Sequence, residues 1–179
     1  MDKVGVYLES PSNKRAAAFI AAVARSRSLH GRWTRAPATR EQYRLFVERS
    51  RESRNAGHFV CTPDGDLAGV INISEIVRGS FCSGYLGYYG LAPHAGRGYM
   101  SAGLAAVIQL AFRAYGLHRL EANIQPENGR SIALVRGLGF ELEGYSPRYL
   151  KISGRWRDHE RWAVTTETWK ALRKREKRE

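Results

Sequence analysis

The tightest constraint on this chain is the segment Leu91-Ala92-Pro93-His94-Ala95-Gly96-Arg97-Gly98-Tyr99-Met100, where an apolar strand meets two glycines and passes without a linker into a helical pattern. A turn of this kind aims several backbone N–H groups at one spot, at the positive end of a helix dipole. That arrangement suits a phosphate group. Two commoner phosphate loops ask for residues that are missing here. A P-loop needs Gly-Lys-Ser/Thr, but Gly98 is followed by Tyr99 and Met100, so nothing is placed for magnesium. A dinucleotide fingerprint needs a third glycine at position 101, which is Ser101, and an acidic residue roughly 20 residues on at a strand end. The first acid downstream, Glu121, lies inside a strand pattern. An ordinary strand-to-helix glycine turn is the alternative that this stretch alone leaves open.

With 179 residues, 43% of them hydrophobic, the chain is long and apolar enough for one globular domain. We expect that domain over residues 1–170, with a charged, fraying tail over 171–179. The net charge of +12 has two readings: attraction to polyanions such as phosphate groups, RNA or an acidic peptide, or an Arg-rich composition, since 23 of the 29 bases are arginine. Cys61 and Cys82 are too few and too far apart for a disulfide framework or a zinc site, and no metal is expected. Lys14-Arg15 followed by Ala16–Ala24 imitates a signal peptide. Nine apolar residues are too short to span a bilayer, however, and the stretch continues with Arg25 and Arg27 as an amphipathic helix does. The expected location is the cytoplasm.

Along the chain, Val4–Leu8 reads as a strand, and Ser12-Asn13 as the cap of a helix from Lys14 to Ser28. Thr39 caps a second helix running to about Asn55. Strands at His58–Thr62 and Leu67–Val77 flank the turn Pro63-Asp64-Gly65-Asp66. Tyr85–Leu91 delivers the glycine loop, and Met100, Leu104, Val107, Ile108, Ala111 and Tyr115 form the core face of the helix after it. A strand follows at His118–Gln125, then a short helix carrying Ile132, Val135 and Leu138 and ending at Gly139. Late strands are expected near Glu143–Ile152 and Arg161–Thr165, joined through Ser153-Gly154. Mixed strands and helices suit an α/β layer fold.

The series of loop, helix, strand, Asn128-Gly129-Arg130-Ser131 and Leu138-Gly139-Phe140 resembles the acetyl-CoA-binding half of the GNAT N-acetyltransferase superfamily. In that family Gln/Arg-x-x-Gly-x-Gly/Ala forms the pyrophosphate loop, and Asn-x-x-Ser with a Leu-Gly-Phe segment forms the second cofactor wall. Tyr149-Leu150-Lys151-Ile152-Ser153-Gly154-Arg155-Trp156-Arg157-Asp158-His159 is most similar to the RimJ-type branch, whose members acetylate protein N termini. Pro93 stands where Gln or Arg is usual, which removes one side-chain contact to the cofactor. The resemblance implies an α/β (α+β) fold: a mixed, mostly antiparallel central sheet of six to seven strands, helices on both faces, splayed at the acetyl-CoA site.

It also implies roles. Acetyl-CoA is held by the backbone of Leu91 and Ala92 and by His94, Ala95, Gly96, Arg97, Gly98, Tyr99 and Met100, with a free N–H near Leu91 facing the thioester carbonyl. Asn128 contacts the cofactor or the acceptor; it is equally suited to capping a helix. Ser131 is the first candidate to protonate the leaving thiolate and Tyr149 the second. Glu75 and Glu121 are the candidate bases, acting through water. Tyr88 and Tyr89 straddle their strand, one in the core and the other facing the acceptor cleft. The acceptor is the α-amino group of a protein or peptide, a ribosomal protein among the options, with the enzyme a monomer or homodimer. The alternatives are a small amine (an antibiotic, polyamine or modified peptide) and a non-catalytic ribosome- or RNA-binding module. Specific nucleic-acid binding is not expected, for the chain lacks its motifs.

Overall fold

The computed structural model describes residues 4–176. Seven strands, β1 (Tyr7–Glu9), β2 (Ala56–Cys61), β3 (Leu67–Val77), β4 (Ser83–Gly90), β5 (Arg119–Ile124), β6 (Glu141–Ile152) and β7 (Arg155–Thr165), form one sheet in the order β1-β2-β3-β4-β5-β7-β6. The β4–β5 ladder is parallel, whereas β1–β2, β2–β3, β5–β7 and β6–β7 are antiparallel. The helices are α1 (Ala16–Arg25), α2 (Arg27–His30), α3 (Arg40–Arg49), α4 (Tyr99–Arg113), α5 (Gly129–Gly137) and α6 (Thr166–Glu176). This is the mixed α/β class expected. No helix among the described residues is long and apolar enough to cross a membrane. The chain divides into two compact units, one of residues up to Ile76 with Gly87–Leu110, the other of Val77–Leu86 with residues from Ala111 onward.

The first unit is built on an aromatic core. Phe19 of α1 packs on Tyr43 of α3 at 4.8 Å and on Phe59 of β2 at 5.5 Å between ring centroids, and all three rings are buried. Thr39 caps α3 as expected, its Oγ1 accepting from the Gln42 amide at 3.2 Å. The helix ends at Arg49 rather than near Asn55, because Ser50 to Asn55 close into successive short turns. Ser12 does not use its side chain as a cap. The expected helix over residues 14–28 begins as a single 3-10 turn and breaks at Ser26. There the buried hydroxyl donates to the Ala22 carbonyl at 2.7 Å, a bond that competes with regular helix geometry. On α4, Leu104, Val107 and Ile108 are fully buried, as their spacing demands.

In the second unit, Leu120, Ala122 and Ile124 of β5 are buried, while Arg119, Glu121 and Asn123 alternate onto the other face. The last strand starts at Arg155, not Arg161. Ser153 and Gly154 both take left-handed φ (49° and 82°), so a two-residue turn sets Ile152 opposite Arg155 and pairing continues from there. Lys170 to Glu176 lie in α6 instead of fraying; the remaining tail, 177–179, lies outside the described residues. The parallel β4–β5 ladder pairs Ser83 to Tyr85 with Arg119 to Glu121, whereas β4 runs on to Gly90 and β5 to Ile124.

Candidate functional site

After β4 the chain bends through Gly96 (φ 78°) and Gly98 (φ 85°) into the first turn of α4. Both angles are left-handed, which glycine adopts without strain. A Cβ at Gly96 would meet nothing within 4 Å, so the space beside Gly96 is open. Among the described residues, no backbone carbonyl accepts from the amides of Ala95, Gly96, Arg97 or Gly98. A fifteen-residue helix begins immediately after them, adding its own unpaired N–H groups and positive dipole end. This stretch can receive an anion.

The residues before the bend behave differently. The Leu91 amide is not free as expected: Leu91 is fully buried and its N–H donates to the Ala68 carbonyl at 2.8 Å, because pairing with β3 extends past the end of β4. The Ala92 amide donates to Ser26 Oγ at 2.8 Å, and that of His94 to the Leu91 carbonyl at 3.0 Å. The imidazole of His94 has only 10% of its surface exposed. Its Nε2 lies 3.5 Å from Asp66 Oδ2, and its ring meets Tyr99 edge-on. Arg97 lies over the Tyr99 ring. Met100 is a packing residue, for a Cβ on Gly69 would come within 2.1 Å of its Sδ.

Two buried residues that sequence reasoning passed over hold this strand end in place. Ser26 secures Ala92, and His30, whose Nε2–H donates to the Gly90 carbonyl at 2.9 Å, secures the residue before Leu91. Neither bond has a local signal, since each joins residues about sixty positions apart. Tyr89 packs edge-on against His30 with its hydroxyl buried. Burial first, and Tyr43 second, push that hydroxyl's pKa upward. Tyr88 is half-buried.

Glu75 also belongs to the first unit. It adopts a left-handed φ of 50° on β3 and is ion-paired with Arg54 at 2.5 Å on an exposed surface.

The second unit gathers the other candidates. Asn128 caps α5, its Oδ1 accepting from the Ser131 amide at 3.3 Å; Ser131 sits in the first turn, half-buried. Glu121 is held by Arg119 Nε at 2.9 Å, and Arg119 also grips Glu143, whose carboxyl it keeps below its ordinary pKa. Tyr85 stands opposite Glu121 in the β4–β5 register. Burial raises the Tyr85 hydroxyl's pKa, with further contributions from the charge of Glu121 and from Tyr149. Glu121, Tyr85 and Tyr149 thus form one group. The Tyr149 ring also lies 6.2 Å from that of buried His159. Asn123, two residues along β5 from Glu121, has its Oδ1 buried without a partner among the described residues. Tyr85 and Asn123 were readable from strand alternation, yet no motif marks them.

An α/β sheet whose fourth strand turns through an amide-lined bend into a helix defines a class built to hold a phosphate-bearing ligand. The model of the acetyltransferase (GNAT) domain matches residues 6–141, and the chain belongs to that family. The ribosomal protein uS5-alanine N-acetyltransferase of Escherichia coli is 46% identical over 104 residues, which are 58% of this chain and 54% of the relative. The chain therefore spans about half the length of that relative. A probable N-acetyltransferase of Bacillus subtilis, YjcK, is 32% identical over 123 residues, 69% of this chain and 67% of the relative. Among solved structures, Mycobacterium smegmatis RimJ in complex with CoA-disulfide superposes with a TM-score of 0.83 at 28% identity, covering 90% of this chain and 82% of that one. The residues present fit the diphosphate of such a ligand: the bend offers amides with no backbone acceptor among the described residues, and open space beside Gly96 where a side chain would otherwise stand.

Proposed function

We propose that this protein is an acetyl-CoA-dependent N-acetyltransferase whose acceptor is the α-amino group of a protein or peptide, with both substrates bound together in the cytoplasm. The observation that carries the reading is the bend after β4, with its two left-handed glycines and unbonded amides, in a chain matching the GNAT domain over residues 6–141. The RimJ-type relatives support the choice of acceptor.

In this reading the amides from Ala95 to Met100 hold the diphosphate, while those of Leu91, Ala92 and His94 fix the loop's shape. Acetyl-CoA supplies an activated thioester. An α-amino group has a pKa near 8, so a useful fraction is neutral at cellular pH and only modest base help is needed. Its nitrogen attacks the thioester carbonyl, the C–N bond forms, and the C–S bond breaks with its electron pair on sulfur. Glu121 takes the amine's proton through water, and the Ser131 hydroxyl passes its proton to the thiolate while regaining one from solvent, with Tyr149 as the alternative donor. Both carboxylates are paired with an arginine; Glu121 is preferred to Glu75 because it is the less exposed of the two and stands beside Tyr85 and Tyr149.

The test is incubation of the protein with acetyl-CoA and peptides bearing free N termini, followed by thiol release and mass spectrometry. Acetylation at the α-amine, lost in Gly96→Glu, is the expected result. Faster acetylation of spermidine or an aminoglycoside would overturn the acceptor. Absence of coenzyme A binding alongside RNA binding would overturn the enzyme.

A further inference from the structure

A cavity of about 530 Å³ opens in the first unit, lined among others by Arg27, His30, Gly31, Arg35, Pro37 and Gln42. That volume accommodates a few residues of a peptide. Its charge is one-sided. From Val23 to Gln42 the chain carries Arg25, Arg27, Arg32, Arg35 and Arg40 against Glu41 alone, and no carboxylate lines the cavity among the described residues. Part of this one-sidedness follows from the Arg-rich composition; the absence of any carboxylate from the cavity's lining among the described residues does not.

The cavity's position gives it a purpose. Its wall residue His30 donates to the Gly90 carbonyl, and Ser26, one position before Arg27, accepts from the Ala92 amide. The cavity's wall is therefore tied, through His30 and Ser26, to the strand end that feeds the amide-lined bend. The Ala38 amide is satisfied by Gln42 Oε1 at 2.8 Å, so the cavity's rim is already ordered.

We infer that this cavity receives an acidic side chain of the acceptor peptide, close behind the reacting amine, with Arg27 and Arg35 as the groups that read its charge. The inference rests on the acetyltransferase reading above. A guanidinium is suited to the task, because it stays charged and matches a carboxylate in a planar fork. The enzyme thereby selects N termini by the charge of the second and third residues, not by the amine alone.

The experiment compares peptides that differ only in carrying Asp and Glu, Gln, or Lys at those two positions. One arm measures kcat/KM with acetyl-CoA. A second arm measures calorimetric binding of the same peptides, N-terminally blocked, to the protein with coenzyme A. The acidic peptide is expected to be favoured over the glutamine peptide by about tenfold in both arms, as one charge-assisted hydrogen bond provides, and less so at high salt. In Arg27→Gln the ratio falls toward one, and in Arg27→Glu it turns in favour of the lysine peptide, a reversal that misfolding cannot imitate. Equal handling of all three peptides would overturn the inference, as would a ratio that survives in Arg27→Glu. So would a loss of coenzyme A affinity with selectivity unchanged, which would assign Arg27 to the cofactor's phosphates. If no peptide is acetylated at all, the proposed reaction fails, and the binding arm still decides whether the cavity prefers carboxylates.

Discussion

Ser26 Oγ accepts a hydrogen bond from the Ala92 amide at 2.8 Å while donating to the Ala22 carbonyl at 2.7 Å, so one buried hydroxyl joins the break between α1 and α2 to the start of the glycine bend. Ser26→Ala leaves the Ala92 N–H without its acceptor. The expected cost is about 1–2 kcal/mol of stability. If the bond also shapes the bend, coenzyme A affinity falls severalfold at temperatures where the variant is fully folded. Calorimetric titration and thermal unfolding of the same sample separate the two effects.

Gly96 separates the proposed cofactor contact from folding. Its φ of 78° makes any replacement strained, but a Cβ there meets no protein atom within 4 Å. Gly96→Ala should therefore cost about 1–2 kcal/mol in backbone strain. Gly96→Glu adds a carboxylate on the open side, where the diphosphate is proposed to sit. Binding of coenzyme A should vanish in Gly96→Glu while thermal stability matches Gly96→Ala; equal coenzyme A affinities in the two variants would place the diphosphate elsewhere.

How much of this was legible beforehand depended on whether the cause was local. The strand over Leu67–Val77, the Thr39 cap and the left-handed glycines at 96 and 98 follow from an apolar run after the Pro63-Asp64-Gly65-Asp66 turn, a hydroxyl three residues before its amide, and missing Cβ atoms. Residues 155–160 did not read as strand, since Arg-Trp-Arg-Asp-His-Glu carries no apolar alternation and extends β7 only by pairing with β6. The same holds for the site. The loop was visible as a motif, whereas the engagement of the Leu91 amide by Ala68 and the grip of Ser26 and His30 come from partners brought close by folding.

His58 makes a separate prediction about acid stability. It is almost wholly buried, and burial lowers its pKa to about 4, against an ordinary value of 6.5. The imidazole is thus neutral in the folded protein and protonates more readily in the unfolded chain. Its stabilising contribution is complete above pH 6.5 and is lost as pH falls toward 4. By pH 5 the loss is about 2 kcal/mol. The carboxylates held low by partners, Glu9, Glu143 and Asp158, remain ionised there. Denaturant midpoints of wild type and His58→Gln should therefore differ in slope between pH 7 and 5, and parallel curves would show that His58 does not titrate as its burial requires.

The proton transfers assigned to Ser131, Tyr149 and Glu121 separate by what each variant leaves intact. Asn128 already uses its Oδ1 on the Ser131 amide, so the α5 cap survives in Ser131→Ala and folding should change little. If the hydroxyl protonates the thiolate, kcat drops by roughly 10²-fold or more with coenzyme A affinity retained. Tyr149→Phe then has a small effect; the opposite pattern would transfer the role to Tyr149, which Tyr85 and His159 adjoin. Glu121→Gln keeps a hydrogen-bond acceptor for Arg119 but loses the base. It should lower kcat most near neutral pH and least at alkaline pH, where the acceptor amine is already deprotonated. A uniform loss across pH would mean that Glu121 serves only to position Arg119, and that water alone removes the amine's proton.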